Sequence, residues 1–336
     1  MDEKQIGALI FGHAVGDALG VPVEFQSRTE LQANPVHEMR GFGTYPVPAG
    51  SWSDDTSMTI ALLESLVRVG HLDFADVMEN FCRWMDEAAF TLTGTVFDMG
   101  RTCGLAITNF KRGFAPVECG GTGETDNGNG SLMRIAPLVP YLYARYGKEL
   151  PEEALKIVHD VSAMTHAHPR SQMACGIYTM IAVKLLDSEA MEDAIEEGLS
   201  EAHARYGKDE RFQDELETYR RLWDVSKFRV LPVDEIRSSG YVVDTLEAVL
   251  YCLLTTDSYE KCVLKAVNLG EDTDTIGAIA GGLAGLTYGF DAIPQEWGEA
   301  LLKREWILFL CKSFADILSP KPDIKKLYGR KPIMHK

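Results

Sequence analysis

"GEDTDTIGAIAGGLAGLTYG", residues 270–289, joins a cluster of oxygen-bearing side chains to a glycine-rich apolar helix. Gly277, Gly281 and Gly285 recur at every fourth position, so one face of this helix has no side chains. Each glycine costs roughly 1 kcal/mol of helix stability relative to Ala, and only close packing against another helix can compensate. The pattern therefore predicts a buried central helix. The oxygen-bearing side chains at its start are Asp272, Asp274 and Thr275.

Two familiar motifs resemble this helix start, and the residues exclude both. An EF-hand calcium loop begins D-x-D and has glycine at its sixth position, which Asp272 and Gly277 match. Its oxygen ligands at positions five and twelve are missing, because Ile276 and Leu283 stand there. A phosphatase D-x-D-x-T motif requires Thr in place of Ile276 and a preceding strand, whereas residues 260–271 have helical spacing.

A second acidic helix start lies far upstream, in "GSWSDDTSMTIALLESL", residues 50–66. Taken alone, Ser53, Asp54 and Asp55 are explained by helix capping, since their oxygens accept from unpaired N–H groups and the helix dipole favours negative charge there. A buried pair of carboxylates needs a cationic partner, however, and few Lys or Arg lie near either stretch. Carboxylate and hydroxyl oxygens suit Mg²⁺, Mn²⁺ or Ca²⁺ better than Zn²⁺. The two stretches together could hold two ions.

Helical periodicity covers most of the chain and strand patterns are scarce, which predicts an all-α fold. Residues 21–52 and 113–130 are irregular, and the second is either a disordered linker or a binding loop. We expect it to lead into a helix beginning at residue 131, whose free N–H groups could receive an anion. Helices are predicted at 4–20, 56–70, 74–89, 98–112, 131–146, 151–163, 169–187, 189–205, 210–222, 241–255, 258–269, 274–289, 294–302 and 304–317.

Composition narrows the classes of function. The 336 residues are 46% hydrophobic and carry a formal charge of −17, which disfavours a nucleic-acid partner. The seven cysteines form no CxxC pair. The amino terminus lacks a basic segment followed by a long apolar run. The longest apolar stretch, 276–290, is shorter than the roughly 18 residues of a membrane span. We therefore expect reduced thiols, no membrane span and a cytoplasmic location.

Six motifs, in this order, resemble the ADP-ribosylglycohydrolase family, which includes dinitrogenase-reductase-activating glycohydrolases. The match spans residues 5–300, and the ordered combination is far more specific than any one motif. The motifs are "GDALGVPVE" (16–24), "WSDDT" (52–56), "GNGSLMRIAP" (128–137), "TH" (165–166), "GYVVDTLEAVLY" (240–251) and the stretch 270–289.

The resemblance implies a compact, single-domain, orthogonal helix bundle over residues 1–320, followed by a C-terminal tail at 321–336. It also implies a hydrolase with two Mg²⁺ or Mn²⁺ ions that removes ADP-ribose from a modified protein side chain, arginine-linked above all, or from a small ADP-ribose conjugate. Two ions can bind the vicinal ribose hydroxyls while an ion or a carboxylate activates water. Carboxylates nearby would stabilise an oxocarbenium-like transition state.

Site residues follow from the same resemblance. Many family members have Thr where Ser53 stands, but the hydroxyl oxygen is kept. Glu24 is the candidate general base or movable ligand, with a structural cap as the alternative. The implied metal ligands are Ser53, Asp54, Asp55, Asp272, Asp274 and Thr275, and the implied catalytic carboxylates are Glu24, Asp55 and Asp272.

The implied substrate-binding residues come from four motifs. Asn129, Gly130 and Ser131 would supply N–H groups to the diphosphate. His166 is expected near the ribose or phosphate, although a zinc pair with His168 is an alternative. Tyr241 would stack on the adenine or else pack in the core. Further residues expected to line the cleft are Asp98, Gly100 and Met133.

Two other functions use the same sequence features. A hydrolase of another nucleoside diphosphate or of a phosphoester could employ the same pair of metal ions. A non-enzymatic member that keeps the fold as an interaction protein is disfavoured, because every acidic position implied to bind metal is intact.

Overall fold

Two helices touch backbone to backbone at the centre of the fold. They are α1 (Glu3–Gly20) and α13 (Thr273–Tyr288). A Cβ atom added at Gly16 would lie 1.9 Å from the carbonyl oxygen of Gly277, and one added at Gly281 would lie 2.3 Å from that of Gly12. The contacts run in opposite directions along the two helices, which are therefore antiparallel. The predicted glycine face is the surface through which this central helix packs.

The computed structural model describes residues 1–187 and 190–319. Within these ranges the predicted all-α class is confirmed, since the only β-type pairings are two isolated bridges, Gly121 with His166 and Gly128 with Tyr241. The predicted tail at 321–336 lies outside the described residues, as does the first residue of the helix predicted at 189–205. The other helices are α2 (Arg28–Ala33), α3 (Asp54–Val69), α4 (Phe74–Glu87), α5 (Arg101–Lys111), α6 (Leu138–Tyr146), α7 (Glu152–Ala163), α8 (Pro169–Leu186), α9 (Met191–Tyr206), α10 (Val225–Phe228), α11 (Val242–Leu254), α12 (Tyr259–Val267), α14 (Gln295–Ala300) and α15 (Arg304–Leu318).

The central pair is enclosed by the other helices. α3, α12 and α15 pack against α1, while α8, α11 and α12 pack against α13. One continuous cluster of buried apolar side chains extends from Ile6 to Ala315, and this supports the proposed single domain.

Helix α1 is apolar on all sides because it is buried on all sides. By length and composition alone the segment Glu3–Val23, with a mean hydropathy of 1.5, could cross a membrane, and it is a stronger candidate than the stretch 276–290. The whole of its 18-residue apolar window is buried inside the fold, as in the core helix of a globular protein.

One predicted helix is wrong in part and another is wrong throughout. No helix begins at residue 131, because Pro137 restricts the residue before it and residues 131–136 form turns, so that α6 begins at Leu138. The helix predicted at 210–222 is a series of turns with one short 3₁₀ segment, Gln213–Glu215. Tertiary contacts override helix propensity there, since Tyr219 is buried and its hydroxyl donates to the carbonyl of Arg170 at 2.8 Å.

The loop at 113–130 is a structured part of the fold, so the linker interpretation is wrong. Its backbone pairs with the segment around His166, where Gly121 N–H donates to Thr165 and Ala167 N–H donates to Gly121. It also pairs with the start of α11, where Asn129 N–H donates to Gly240. These bonds hold the end of the loop against the fold.

The central contact leads to a stability prediction. Gly16→Ala places a methyl group against the Gly277 backbone, so we expect the free energy of unfolding to fall by about 2–3 kcal/mol, as in overpacked cores. Gly104→Ala, in α5, is the matched control, because its methyl group would meet only the Met99 side chain at 3.5 Å. That control should be neutral or stabilise by up to about 1 kcal/mol through helix propensity. Urea unfolding measures both, and equal stability of the two variants would contradict the packing described here.

Candidate active site

Three helix ends meet beside the central helix pair. The C-terminal end of α1 lies against the first turn of α13, where a Cβ atom on Gly20 would come within 2.4 Å of the Asp274 backbone. The first turn of α3 joins them through Ser53, whose N–H donates to Asp17 Oδ1 at 2.9 Å. Two helix N-termini therefore direct their positive dipole ends toward one small region, which favours negatively charged side chains there.

Asp17 joins α1 to α3 through hydrogen bonds, although no pattern in the sequence predicted a role for it. Its Oδ2 accepts from the Thr56 N–H at 3.0 Å and from the Thr56 hydroxyl at 2.6 Å. The Ser53 hydroxyl lies 3.1 Å from Asp17 Oδ1 and 2.9 Å from Asp55 Oδ2 and can donate to either. Ser53 also caps α3, because its oxygen accepts from the Asp55 N–H. The capping interpretation of this stretch is therefore correct for Ser53.

Carboxylates from all three helix ends form two overlapping groups. In one, oxygens of Asp17, Asp55 and Asp274 all lie within 4.8 Å of one another; in the other, so do oxygens of Glu24, Asp272 and Asp274. Asp274 belongs to both groups. Three of the implied metal ligands are thus brought together, and Glu24 stands beside them.

The remaining implied ligands lie next to these groups. The Thr275 hydroxyl donates to Asp55 Oδ2 at 3.3 Å, and Ser53 contacts the same oxygen. Asp54 lines the neighbouring cleft without joining either group of three. Their part in metal binding stays a prediction.

Burial raises the pKa of every carboxyl group in this cluster, and repulsion from neighbouring carboxylates adds to the shift at Glu24, Asp55 and Asp274. Loss of hydration raises the pKa of Asp17 to about 7, although four hydrogen bonds oppose the shift. Loss of hydration, and then the charge of Asp98, raises the pKa of Glu24 to about 9. The pKa values of Asp55 and Asp274 are raised well above the ordinary range by burial and by neighbouring carboxylates. Carboxylates crowded in this way must bind protons or cations.

The donor set fits a hard divalent cation. One oxygen each of Glu24, Asp55 and Asp274 is buried and has no hydrogen-bond partner. Across the described ranges, no Lys, Arg or His forms an ion pair with any of the clustered carboxylates. Oxygen-only ligands of this kind suit Mg²⁺, Mn²⁺ or Ca²⁺, which would satisfy the unpaired oxygens.

A cleft of about 340 Å³ opens directly above the carboxylates. Its wall includes most of the residues that the sequence analysis implied for metal or substrate binding, and it adds Phe25, Arg101, Cys103, Gly240 and Glu271. The predicted residues in the wall are Glu24, Asp54, Asp98, Gly100, Asn129, Gly130, Met133, His166, Asp272 and Thr275.

The polar loop around residue 129 connects the cleft to the acidic groups. Asn129 Nδ2 donates to Asp272 Oδ2 at 2.6 Å and to the Thr245 hydroxyl at 2.8 Å. The Asn129 N–H is already bonded to the Gly240 carbonyl, so it is not available to a diphosphate as predicted. Asn129 therefore orients Asp272, and among the described residues the N–H groups of Gly130 and Ser131 have no partner.

His166 forms one wall of the cleft, and Arg134 supports it from behind. The Arg134 guanidinium is completely buried and donates to the Thr165 hydroxyl at 2.9 Å and to the Gly130 carbonyl at 3.3 Å. The Thr165 hydroxyl lies 2.8 Å from His166 Nδ1. Burial, helped by the charge of Arg134, lowers the pKa of His166 to about 3, so the imidazole is neutral.

Two implied substrate-binding residues do not line the cleft. Ser131 is completely buried, and its hydroxyl accepts from Ser162 at 2.9 Å; the helix expected to begin there is absent. Tyr241 is half-buried at the N-cap of α11, with the Arg170 guanidinium 5.8 Å from its ring centroid.

The zinc alternative has no support in the described part of the chain. His168 turns toward Glu124 and Glu215, at 3.6 and 3.9 Å, and caps α8. His166 instead faces Thr165, and neither histidine belongs to a group of possible metal ligands.

Three contributors were missed from the sequence. Asp17 and Arg134 lie inside the motifs "GDALGVPVE" and "GNGSLMRIAP", but their spacing does not predict a buried contact. The hydroxyl of Tyr45 interacts with both Glu24 and Asp98, across loops that carry no periodic pattern. Residues whose role depends on one long-range contact leave no local signal.

Comparison with known proteins gives a consistent result. The sequence profile of the ADP-ribosylglycohydrolase family matches residues 2–323. The chain is 34% identical to the ADP-ribosyl-[dinitrogen reductase] glycohydrolase of Rhodospirillum rubrum, covering 88% of this chain and 89% of that protein. It is 30% identical to the ADP-ribosylarginine hydrolase Tri1 of Serratia proteamaculans (strain 568), covering 96% and 81%. A solved structure described as an ADP-ribosylglycohydrolase-related protein complex superposes with a TM-score of 0.76 at 30% identity, covering 94% of this chain and 98% of that one.

The raised pKa values predict how stability depends on pH and metal ions. The folded-state pKa of Asp17, about 7, and that of Glu24, about 9, both exceed the unfolded-state values near 4. Folding without metal therefore takes up protons, and the free energy of unfolding should fall as the pH rises from about 4 to about 9.

Divalent cations compete with these protons, so they should stabilise the fold more at pH 8 than at pH 6. At a hundredfold excess over Kd the gain is about 2.7 kcal/mol. Thermal unfolding with EDTA, Mg²⁺ or Mn²⁺ at both pH values measures the effect. The same shift at pH 6 and pH 8, or none, would contradict it.

Proposed function

The chain belongs to the ADP-ribosylglycohydrolase family and is a hydrolase of that type, and on this premise we propose that it removes ADP-ribose from ADP-ribosylated arginine side chains of proteins. Two divalent cations, Mg²⁺ or Mn²⁺, are the proposed cofactors. Small arginine-linked ADP-ribose conjugates would react in the same way. We also propose a cytoplasmic location, in keeping with seven cysteines that are all free thiols.

The observation that carries the proposal is the shared position of Asp274. It contributes to two groups of three carboxylates, and each group contains oxygens within 4.8 Å of one another. Two groups that share a ligand form a binuclear arrangement, whereas a single structural ion needs only one. Both groups lie at the base of a cleft large enough for part of a nucleotide.

The residues proposed to hold the cations are Asp17, Asp55, Asp272 and Asp274, with the hydroxyls of Ser53 and Thr275 and the carboxylate of Asp54 beside them. When bound, the cations supply positive charge that orients the ribose hydroxyls and makes a bound water more acidic. Asn129 keeps Asp272 in place through its 2.6 Å hydrogen bond. The carboxylates of Asp55 and Asp272 add negative charge near the anomeric carbon, which stabilises an oxocarbenium-like transition state.

Glu24 is the proposed general base. Its Oε2 atom is buried without a partner, while the residue lines the cleft next to Asp272 and Asp274. Cations bound at the neighbouring carboxylates would offset the burial and repulsion that raise the pKa of Glu24, and so keep its carboxylate ionised and able to accept a proton from water. Tyr45 and Asp98, which interact with Glu24, would orient its carboxyl group.

The rest of the cleft is proposed to bind the ADP part of the substrate. The free N–H group of Gly130, which lines the cleft, suits the diphosphate. If the Thr165 hydroxyl donates to His166 Nδ1, the neutral ring carries its proton on Nε2 and donates into the cleft. Met133 and Gly100 shape the wall, and Tyr241, which follows the cleft residue Gly240 without lining the cleft itself, is the proposed contact for an adenine that extends beyond the rim.

Arginine is the proposed linkage for two reasons. One relative is described as an ADP-ribosylarginine hydrolase. The rim of the cleft carries Asp98 and Glu271 and the chain has a net charge of −17, which together favour a cationic leaving group.

Hydrolysis of ADP-ribosyl-arginine tests the function directly. We expect release of ADP-ribose in Mg²⁺ or Mn²⁺ and none in EDTA. Glu24→Gln removes the base and should lower kcat by about 100-fold or more. Chromatography of released ADP-ribose is the measurement. No turnover of arginine-, serine- or acetyl-linked ADP-ribose with any divalent metal would refute the proposal.

Asp274→Ala tests the shared ligand. Because Asp274 serves both groups, we expect titration calorimetry to detect no metal binding, and turnover to be lost, while circular dichroism shows the helical content of the wild type. Asp291→Ala is the matched control, since that aspartate is exposed and pairs with Lys4 on the surface. Unchanged metal affinity in Asp274→Ala would refute the ligand assignment.

A further inference from the structure

An exposed aromatic ring stands at the mouth of the cleft. Phe25 directly follows Glu24, lines the cleft, and has 68% of its surface exposed. Single exposed apolar side chains are common on protein surfaces, so it is the position of Phe25 in the cleft lining, and not its exposure alone, that suggests a ligand. Nothing in the mechanism above uses this ring.

The backbone holds Phe25 in an unfavourable conformation. Phe25 and Glu271 both have positive φ, 65° and 63°, a region that L-residues with side chains seldom adopt. Two backbone hydrogen bonds join the segment around Phe25 to the segment around Glu271. The Phe25 N–H donates to the Glu271 carbonyl and the Glu271 N–H donates to the Gln26 carbonyl, both at 2.7 Å. Strain of this kind persists only where the surroundings enforce it, and it concentrates at functional sites.

Arg28 adds further hydrogen bonds between these two segments. Its guanidinium donates to the carbonyls of Leu269 and Ile236, at 2.9 and 2.6 Å, and so fastens the segment after Phe25 to the segment before Glu271. A Cβ atom on Gly270 would lie 2.6 Å from the Arg28 N–H nitrogen, which shows how closely the two segments pack. The backbones that carry Phe25 and Glu271 are therefore held together on a rigid support, and both residues line the cleft.

We propose that Phe25 and Glu271 bind the guanidinium group of the arginine that leaves when ADP-ribose is released. The inference rests on the proposed function, and it assigns the residues that select the linkage. A guanidinium stacks on aromatic faces and pairs with carboxylates, so a ring beside an acidic group matches both of its properties.

Position in the cleft favours the leaving group over the adenine. Phe25 is adjacent to Glu24, whose carboxylate reaches Asp272 and Asp274, where the anomeric carbon is expected. The proposed adenine contact, Tyr241, is instead beside Arg170. Phe25 thus directly follows the residue that stands beside the proposed reaction centre, which favours the leaving group as its partner.

Phe25→Ala and Glu271→Gln test the assignment. We expect each to raise KM for ADP-ribosyl-arginine about fivefold, with kcat changed less than twofold, because a cation–π contact at an exposed site contributes modestly. Phe25→Trp should restore the wild-type KM, and Phe25→Leu should not, since leucine keeps bulk without an aromatic face. The affinity for free ADP-ribose, measured by calorimetry with Mn²⁺, should stay at the wild-type value in all of them.

Phe309→Ala is the matched control, because this phenylalanine is 64% exposed on α15 and does not line the cleft. An unchanged KM in Phe25→Ala, full rescue by leucine, or weaker binding of free ADP-ribose would overturn the assignment while leaving the proposed hydrolysis intact. Failure of the wild type to cleave ADP-ribosyl-arginine would instead refute the proposed function and this inference with it.

Discussion

The backbone contact between α1 and α13 is the constraint on which the site depends. Two helices can approach this closely only where neither carries a side chain, and the glycines of both meet at the same level. The approach brings the end of α1 against the first turn of α13, so that Asp17 and Asp274 share one group of carboxylates. The helix pair positions Asp17 and Asp274 directly, while Glu24 and Asp272 are carried by the segments that adjoin it and Asp55 by the first turn of α3.

The acidic cluster is tolerated because the surrounding polar groups are organised around it. Helix N-termini point toward it, and hydroxyl and amide groups of Ser53, Thr56 and Asn129 donate to its oxygens. These donors do not suffice, since several oxygens remain buried and unpaired. The base of the cleft therefore carries negative charge that no protein group compensates, and bound cations can neutralise it.

The sequence predicted those parts of the structure that follow from residue periodicity or from motifs of closely spaced functional residues. The glycine period predicted the central helix, and the two acidic helix starts predicted carboxylates that the fold brings together. The helix expected at 131–146 failed because Pro137 stops it, and that at 210–222 failed because buried contacts of Tyr219 outweigh propensity. Asp17, Arg134 and Phe25 were missed for a common reason, since burial, exposure and backbone φ at a single residue follow from distant partners.

The central helix pair also has a consequence for synthesis. Helix α1 is translated before α13, by an interval on the order of tens of seconds at typical rates. During that interval an almost wholly apolar helix has no partner for its glycine face. The nascent chain therefore exposes an apolar surface of the kind that chaperones recognise, and the carboxylate cluster cannot form until α13 has left the ribosome.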